Sequence, residues 1–351
     1  MKSASRVLVA LLLSMTAAAA AFPQAAKASA KKPPKARYTL KVATLAPTGS
    51  SFHQILEGMG EEWRSAPGGG VALKIYEGGS QGTEIEAIQR MRLGSLDGGL
   101  LMAAGMAEID DSVEALQSMP MMFRSLEEVE YVRNKLRQKI EQRFLDKGFV
   151  VLFWADAGWV HFFTKSPVVH PDDLKKVELF AIDGDTNQID IMKAAGYKPV
   201  PLSPNDILTG LQTGLISGVP TIPTIALAGQ FYSRAPHMLQ LNWAPLVGGF
   251  VVTRRAWEKL PAETRKALSD SARRTGEVMK ATARGESDKA VAAMAKRKLT
   301  VHKVTPEIEQ EWRAAAEKVY PQIRGRMIPA DFFDDVRRLL AEYRKNAGGA
   351  K

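Results

Sequence analysis

The sequence contains no cysteine. That excludes a disulfide framework, a cysteine nucleophile and every cysteine-ligated zinc or iron–sulfur site. Aromatic residues are scarce at 7%, while hydrophobic residues at 45% and charged residues at 25% match an ordinary globular chain. Disorder, collagen and coiled coil are excluded as the main state. No apolar run reaches the ~20 residues that a membrane-spanning helix needs. Acids are also absent from the first thirty residues, where Lys2 and Arg6 precede an uncharged run from Val7 to Ala21. A basic start, a short apolar stretch and small-residue sites at Ala19-Ala20-Ala21 and Ala28-Ser29-Ala30 read as a secretory signal peptide over residues 1–30. The Lys/Pro-rich residues 31–37 read as a tether. The expectation is a soluble, exported protein located in the periplasm. The formal charge of +10 sits largely on outer helix faces, as at Arg254-Arg255 and Arg273-Arg274, so no nucleic-acid partner is expected.

A length of 351 residues predicts about two domains of ~150 residues. From Tyr38 strands alternate with helices. Tyr38 to Leu45 reads as a strand, and Phe52, Ile55, Leu56, Met59 and Trp63 recur at helical spacing. After a second strand at Val71 to Tyr76, Thr83 and Glu86 form a capping box for the next helix. Leu96 to Met102 is a buried strand and Leu126 to Lys147 a long amphipathic helix. Phe149 to Ala155 and Trp159 to Thr164 read as two strands, followed by a second strand–helix series from Val177 to Thr213. Ala262 to Lys298 is an unbroken helical pattern long enough to pack across both domains, and Pro306 to Met327 and Pro329 to Lys345 give two terminal helices. Repeated strand–helix–strand units predict an α/β fold with a largely parallel sheet.

Chemistry-bearing motifs are few. The five histidines (His53, His161, His170, His237 and His302) lack metal-ligand spacing. Asp183-Gly184-Asp185-Thr186-Asn187 opens like a calcium loop, but Gln188 stands where the turn needs glycine and Ala194 where a bidentate Glu belongs. Gly78-Gly79-Ser80-Gln81-Gly82 lacks the Lys-Ser/Thr of a P-loop, and no GxSxG elbow is present. The expectation is therefore no enzyme, no cofactor and no metal. One segment stands out: Phe153-Trp154-Ala155-Asp156-Ala157-Gly158-Trp159-Val160-His161-Phe162-Phe163 is dense in aromatics near mid-chain. It is either a core strand pair or a ligand wall at a domain interface.

Taken in order, several stretches resemble the extracytoplasmic solute-binding subunit of a TRAP (tripartite ATP-independent periplasmic) transporter. They are Leu40 to Phe52, Gly78 to Leu96, Met119 to Phe123, Trp154 to Lys165, Pro171 to Lys175, Leu215 to Pro223 and Trp257 to Pro261. The resemblance implies a two-lobe periplasmic binding protein fold with hinge strands and a long helix spanning both lobes. Lobe I would be 38–157 plus 245–292 and lobe II 158–244 plus 293–345, hinged near Trp154 to Trp159 and Leu241 to Gly248. A small-molecule ligand would lie between the lobes and pass to a TRAP membrane permease driven by an ion gradient.

The resemblance also implies site residues. Where the family usually has a carboxylate-binding arginine, this chain has Phe180; where a second arginine is common, it has Val160. Met102 and Thr221 replace two further polar residues, with Trp154, Trp159, Phe162 and Phe52 completing the expected wall. A carboxylate without a cationic partner would be a costly unpaired charge. The expectation is a largely apolar ligand and a resemblance to the branch that lacks the arginine and works with a TPR-repeat protein. Two other classes remain open: an exported enzyme using Asp156, Asp183 or His161 in the cleft, and an assembly protein whose cleft receives a partner's segment.

Overall fold

The structure, a computed structural model, describes residues 36–348. The expected signal peptide and residues 31–35 of the tether lie outside the described residues. No helix among those residues is long and apolar enough to cross a membrane.

The strands are β1 (Tyr38–Thr44), β2 (Val71–Tyr76), β3 (Gly98–Met102), β4 (Phe149–Thr164), β5 (Glu178–Ile182), β6 (Lys198–Leu202), β7 (Gly218–Thr221), β8 (His237–Thr253) and β9 (Thr300–Lys303). They form one sheet in the order β2-β1-β3-β8-β4-β7-β5-β6, with β9 beside β8. Its two flanks are parallel: β1 pairs with β2 and β3, and β5 with β6 and β7. The centre is antiparallel, because β4 and β8 pair with each other along nearly their whole length. The first half of β4 and the second half of β8 serve the β1–β3 flank. Their other halves serve β7 and β9.

The sequence predicts two strands between Phe149 and Thr164; one continuous strand is found. The interruption survives as a register shift between Asp156 and Trp159, where Gly158 takes φ +99. Only glycine holds that backbone without strain, so the break is a bulge that bends the strand rather than an end.

Each flank has its own apolar cores. Leu40, Leu56, Trp63, Phe250 and Leu268 form one cluster, and Ile88, Val132, Phe144 and Trp154 another beside it. Phe163, Phe180, Leu211 and Met238 form a third, and Phe162, Leu174, Leu239 and Trp312 a fourth. The long helix Ala262–Ala295 buries Leu268, Ala272 and Met279 in a core of the first flank and Met294 in one of the second. Gly276 lets it approach the sheet, since a Cβ there would lie 2.9 Å from the Phe153 Cβ.

The segment expected as one helix over Pro306–Met327 divides into Pro306–Glu317 and Tyr320–Ile323, because Pro321 cannot supply the backbone donor that continuation requires. The last helix, Ala330–Gly348, is expected within 293–345 of lobe II. Its Phe332, Phe333, Val336 and Leu340 instead pack with Val129, Val132, Leu136 and Ile140 in a first-flank core. Its apolar stripe fits the one presented by the helix Leu126–Asp146.

A buried ion network ties the sheet to the helices at the bulge. Asp156 is 0% exposed, and Arg284 of the long helix donates to both of its oxygens, each at 3.1 Å. Arg133 lies 3.6 Å from the same carboxylate, and Lys280 reaches Glu130 at 2.9 Å. Asp156→Ala leaves Arg284 and Arg133 with Glu130 as their one remaining acidic partner, at 3.5 and 4.0 Å, and is expected to cost about 3 kcal/mol in urea unfolding. Adding Arg284→Met should recover part of that loss. An unchanged midpoint in the single variant would show that solvent already screens the network.

Candidate functional site

In sheets with parallel strands, ligands collect outside the carboxyl ends of the strands, where chain direction brings loops and helix N-termini together. Leu45 follows β1, Met102 ends β3, Ile182 ends β5 and Pro204 follows β6, and all four line one cavity of about 140 Å³. Both flanks of the sheet contribute to it. Two wider grooves of about 720 and 820 Å³ share Met121, Arg124 and Arg313, and neither draws residues from the ends of strands on both flanks of the sheet.

The cavity wall carries Glu84, Glu108, Asp111, Glu114 and Asp185, and none of its lining residues is Lys, Arg or His. Glu84 stands where it does because the Thr83–Glu86 capping box starts its helix at that residue. Its Oε1 accepts the Met102 backbone N–H at 3.0 Å. Gly105 makes room for the carboxyl, since a Cβ there would collide with Oε2. Glu84 is 8% exposed, and burial pushes its pKa up to about 8 against the relief of backbone donors at Met102 and Gly105.

Glu114 sits on the tight turn Asp111–Leu116 and is 4% exposed. Its Oε2 accepts the Ser118 hydroxyl. Burial, reinforced by the charges of Asp185 and Asp111, pushes its pKa up to about 7. Asp185 caps the helix Thr186–Ala194 through Oδ1, which accepts the Gln188 N–H at 3.0 Å. Its Oδ2 is buried without a hydrogen-bond partner. Burial and the nearby Glu108 raise its pKa as well.

Of the eight residues expected at the site, Met102 lines this cavity. Phe180, 8% exposed, packs with Phe163, Ile207 and Leu211 inside a second-flank core. Phe162 stacks on Trp312 at 5.5 Å in the neighbouring core. Trp154 is buried against Phe144 and donates from Nε1 to Glu141 at 2.9 Å. Trp159 and Phe52 are half-buried against first-flank cores. Val160 and Thr221 are half-buried on β4 and β7. A large apolar side chain gains by joining the nearest core, and that is what Phe180 does. The wall of this cavity combines five carboxyl groups with apolar side chains such as Leu45, Ile85, Met102 and Ile182.

The acids were visible in the sequence only under other headings. Glu84 lies inside the capping box, and Asp185 lies in the calcium-like loop, where it serves as a helix cap. The candidate catalytic groups are not brought together. Asp156 is spent on Arg284. His161 is buried, which pushes its pKa down to about 4 and keeps the ring neutral. Asp183 is exposed. No group of three or more His, Cys, Asp and Glu among the described residues could hold a metal ion.

Glu84 and Glu114 also set a pH dependence of stability. In the folded state they hold protons up to about pH 8 and 7, whereas an unfolded chain releases them near the ordinary value of 4.5. The folded state binds the extra protons across that window, so stability falls as pH rises through it. Urea midpoints should therefore be lower at pH 8 than at pH 5.5. The difference should shrink in Glu84→Gln/Glu114→Gln, which stays neutral throughout; an equal drop in the variant would place the protons elsewhere.

Sequence and structural comparisons identify the family. Residues 42–325 match the family described as bacterial extracellular solute-binding protein, family 7 (DctP). A solute-binding protein of Roseobacter denitrificans is 24% identical over 67% of this chain and 72% of its own length. The C4-dicarboxylate-binding periplasmic protein of Rhodobacter capsulatus is 22% identical over 78% and 82%. A TRAP periplasmic solute-binding protein from Shewanella oneidensis, solved with bound succinate, superposes with a TM-score of 0.80 at 16% identity, covering 86% of this chain and 99% of that one. The chain belongs to the DctP family of bacterial extracellular solute-binding proteins, which serve TRAP transporters, and it has their two-lobe fold.

Proposed function

We propose that the protein captures one small molecule in the cavity between its two lobes and delivers it to a TRAP-type permease, with no chemistry on the cargo. The observation that carries this reading is the cavity itself, closed by strand ends from both flanks of the sheet, with Met102 and Glu84 on one side and Ile182 and Asp185 on the other. Lobe I would comprise 38–157, 245–292 and the last helix, and lobe II 158–244 with the segment from 293 to the helix Pro306–Glu317. The lobes would turn about the bulge at Asp156–Trp159 and the facing stretch of β8. The proposed location is the periplasm, reached through the N-terminal signal peptide.

Five carboxyl groups beside Leu45, Ile85, Met102 and Ile182 favour a ligand that offers hydrogen-bond donors along with an apolar part. A TPR-repeat partner stays part of this proposal, on the ground that Phe180 and Val160 stand where the family usually has arginine.

Closure is driven by contacts that exist only when the lobes meet, so a bound ligand should shift the population toward the compact form. Mass spectrometry of the protein purified from its native host identifies the cargo. Small-angle scattering with that compound at saturation should give a smaller radius of gyration than the ligand-free protein. An unchanged profile would remove the hinge-closing receptor from consideration.

A further inference from the structure

The wall of the cavity holds five acids and no base; Arg143, outside the lining, reaches Asp111 at 3.4 Å, and Glu84, Glu108, Glu114 and Asp185 have no ion-pair partner among the described residues. Two of the acids, Glu84 and Glu114, are buried beyond nine-tenths. Asp185 adds a buried Oδ2 that has lost solvent and gained no donor. Buried polar atoms in native structures are almost always partnered, so an orphaned oxygen at the wall of a ligand cavity marks a place where the partner comes from outside. An anion brought here would find no cationic side chain in the lining and could be held only while Glu84 or Glu114 keeps its proton. A cation would find ready acceptors on both lobes: Glu84 and Glu114 on one, Asp185 on the other.

Resting on the receptor reading above, we infer that the cavity receives a small cationic molecule, an ammonium or guanidinium compound, held by Glu114, Asp185 and Glu84, rather than a free carboxylate. The apolar remainder of the wall (Leu45, Ile85, Met102 and Ile182) suits a short hydrocarbon stem. The cation would bridge the lobes by pairing with acids on each, which links recognition to closure. The protons that burial keeps on Glu84 and Glu114 are displaced when such a ligand arrives, because a nearby positive charge favours the ionised carboxylate. Glu108, Asp111 and Asp185 are the other titratable groups facing them across the cavity.

The sign of proton exchange separates the two ligand classes. A cation releases protons on binding and gains affinity from pH 6 to pH 8. A carboxylate can bind these acids only as protonated donors, so it takes protons up and loses affinity over the same range. The experiment is isothermal titration calorimetry in two buffers of different ionisation enthalpy, with putrescine, agmatine and choline as cationic probes and succinate as the anionic one. Small-angle scattering is recorded on each saturated sample. The expected result is binding of a cationic probe with proton release and compaction. Glu114→Gln and Asp185→Asn should each weaken that binding roughly ten- to hundredfold, the loss of one charge-assisted hydrogen bond. Both replacements are near-isosteric, and the circular dichroism of each variant checks that it folds. Binding of succinate with proton uptake, compaction and sensitivity to the same variants overturns the cationic class and leaves the receptor reading standing. Failure of all three cationic probes to bind likewise overturns the inference. A probe that binds without compaction and with unchanged affinity in both variants overturns the inference and the interlobe site together.

Discussion

Everything in this molecule hangs from the antiparallel pairing of β4 and β8. These two strands run through both flanks of the sheet, and each flank takes one half of each strand. A continuous ladder is stiff, so any movement of one flank against the other must be absorbed where the ladder is irregular. The ladder is irregular at three places, and the middle one, between Asp156 and Trp159, is bent at Gly158. Strand pairing thus joins the two flanks, and the bulge bends the ladder between them.

The Asp156 network sits at that point. A carboxylate without solvent access is held by Arg284 of the long helix and approached by Arg133 of the helix Leu126–Asp146. The long helix in turn buries residues in cores of both flanks. The bulge is therefore tied to the helix layer by charge as well as by packing. Such a network contributes little net stability compared with an apolar core of the same volume, but losing one member is costly.

The cavity follows a different logic. Two of its acids, Glu84 and Asp185, sit at helix starts, where the partial positive charge of unsatisfied N–H groups eases their burial. Glu84 opens one helix and Asp185 caps another. Backbone donors at Met102 and Gly105 offset part of the desolvation of Glu84, yet not enough to bring its pKa back to the ordinary range. The result is a pocket poised near neutrality in a family whose relatives include a dicarboxylate-binding protein and a succinate-bound structure.

Local pattern determined a great deal here. Hydrophobic periodicity and turn residues placed β1, β2, the capping box at Thr83 and Glu86 and the helix that begins at Ala262, because each is decided by neighbours within one or two turns of chain. The resemblance to TRAP solute-binding subunits, not local pattern, supplied the expectation of Phe180 and Val160 at positions where the family usually has arginine. What local pattern could not supply was direction and company. Whether Phe180 faces a cleft or a core depends on which helices cover its face of the sheet, and those are Ile207–Thr213 and the end of the long helix, distant in sequence. Whether Pro329–Lys345 belongs to one lobe or the other depends on a matching apolar stripe about two hundred residues earlier, on Leu126–Asp146. The acidity of the cavity likewise comes from bringing residues 84, 108, 111, 114 and 185 to one set of strand ends. Sequence spacing carries no trace of that convergence, because it is a property of how the β1–β3 and β5–β7 flanks meet across the two long strands.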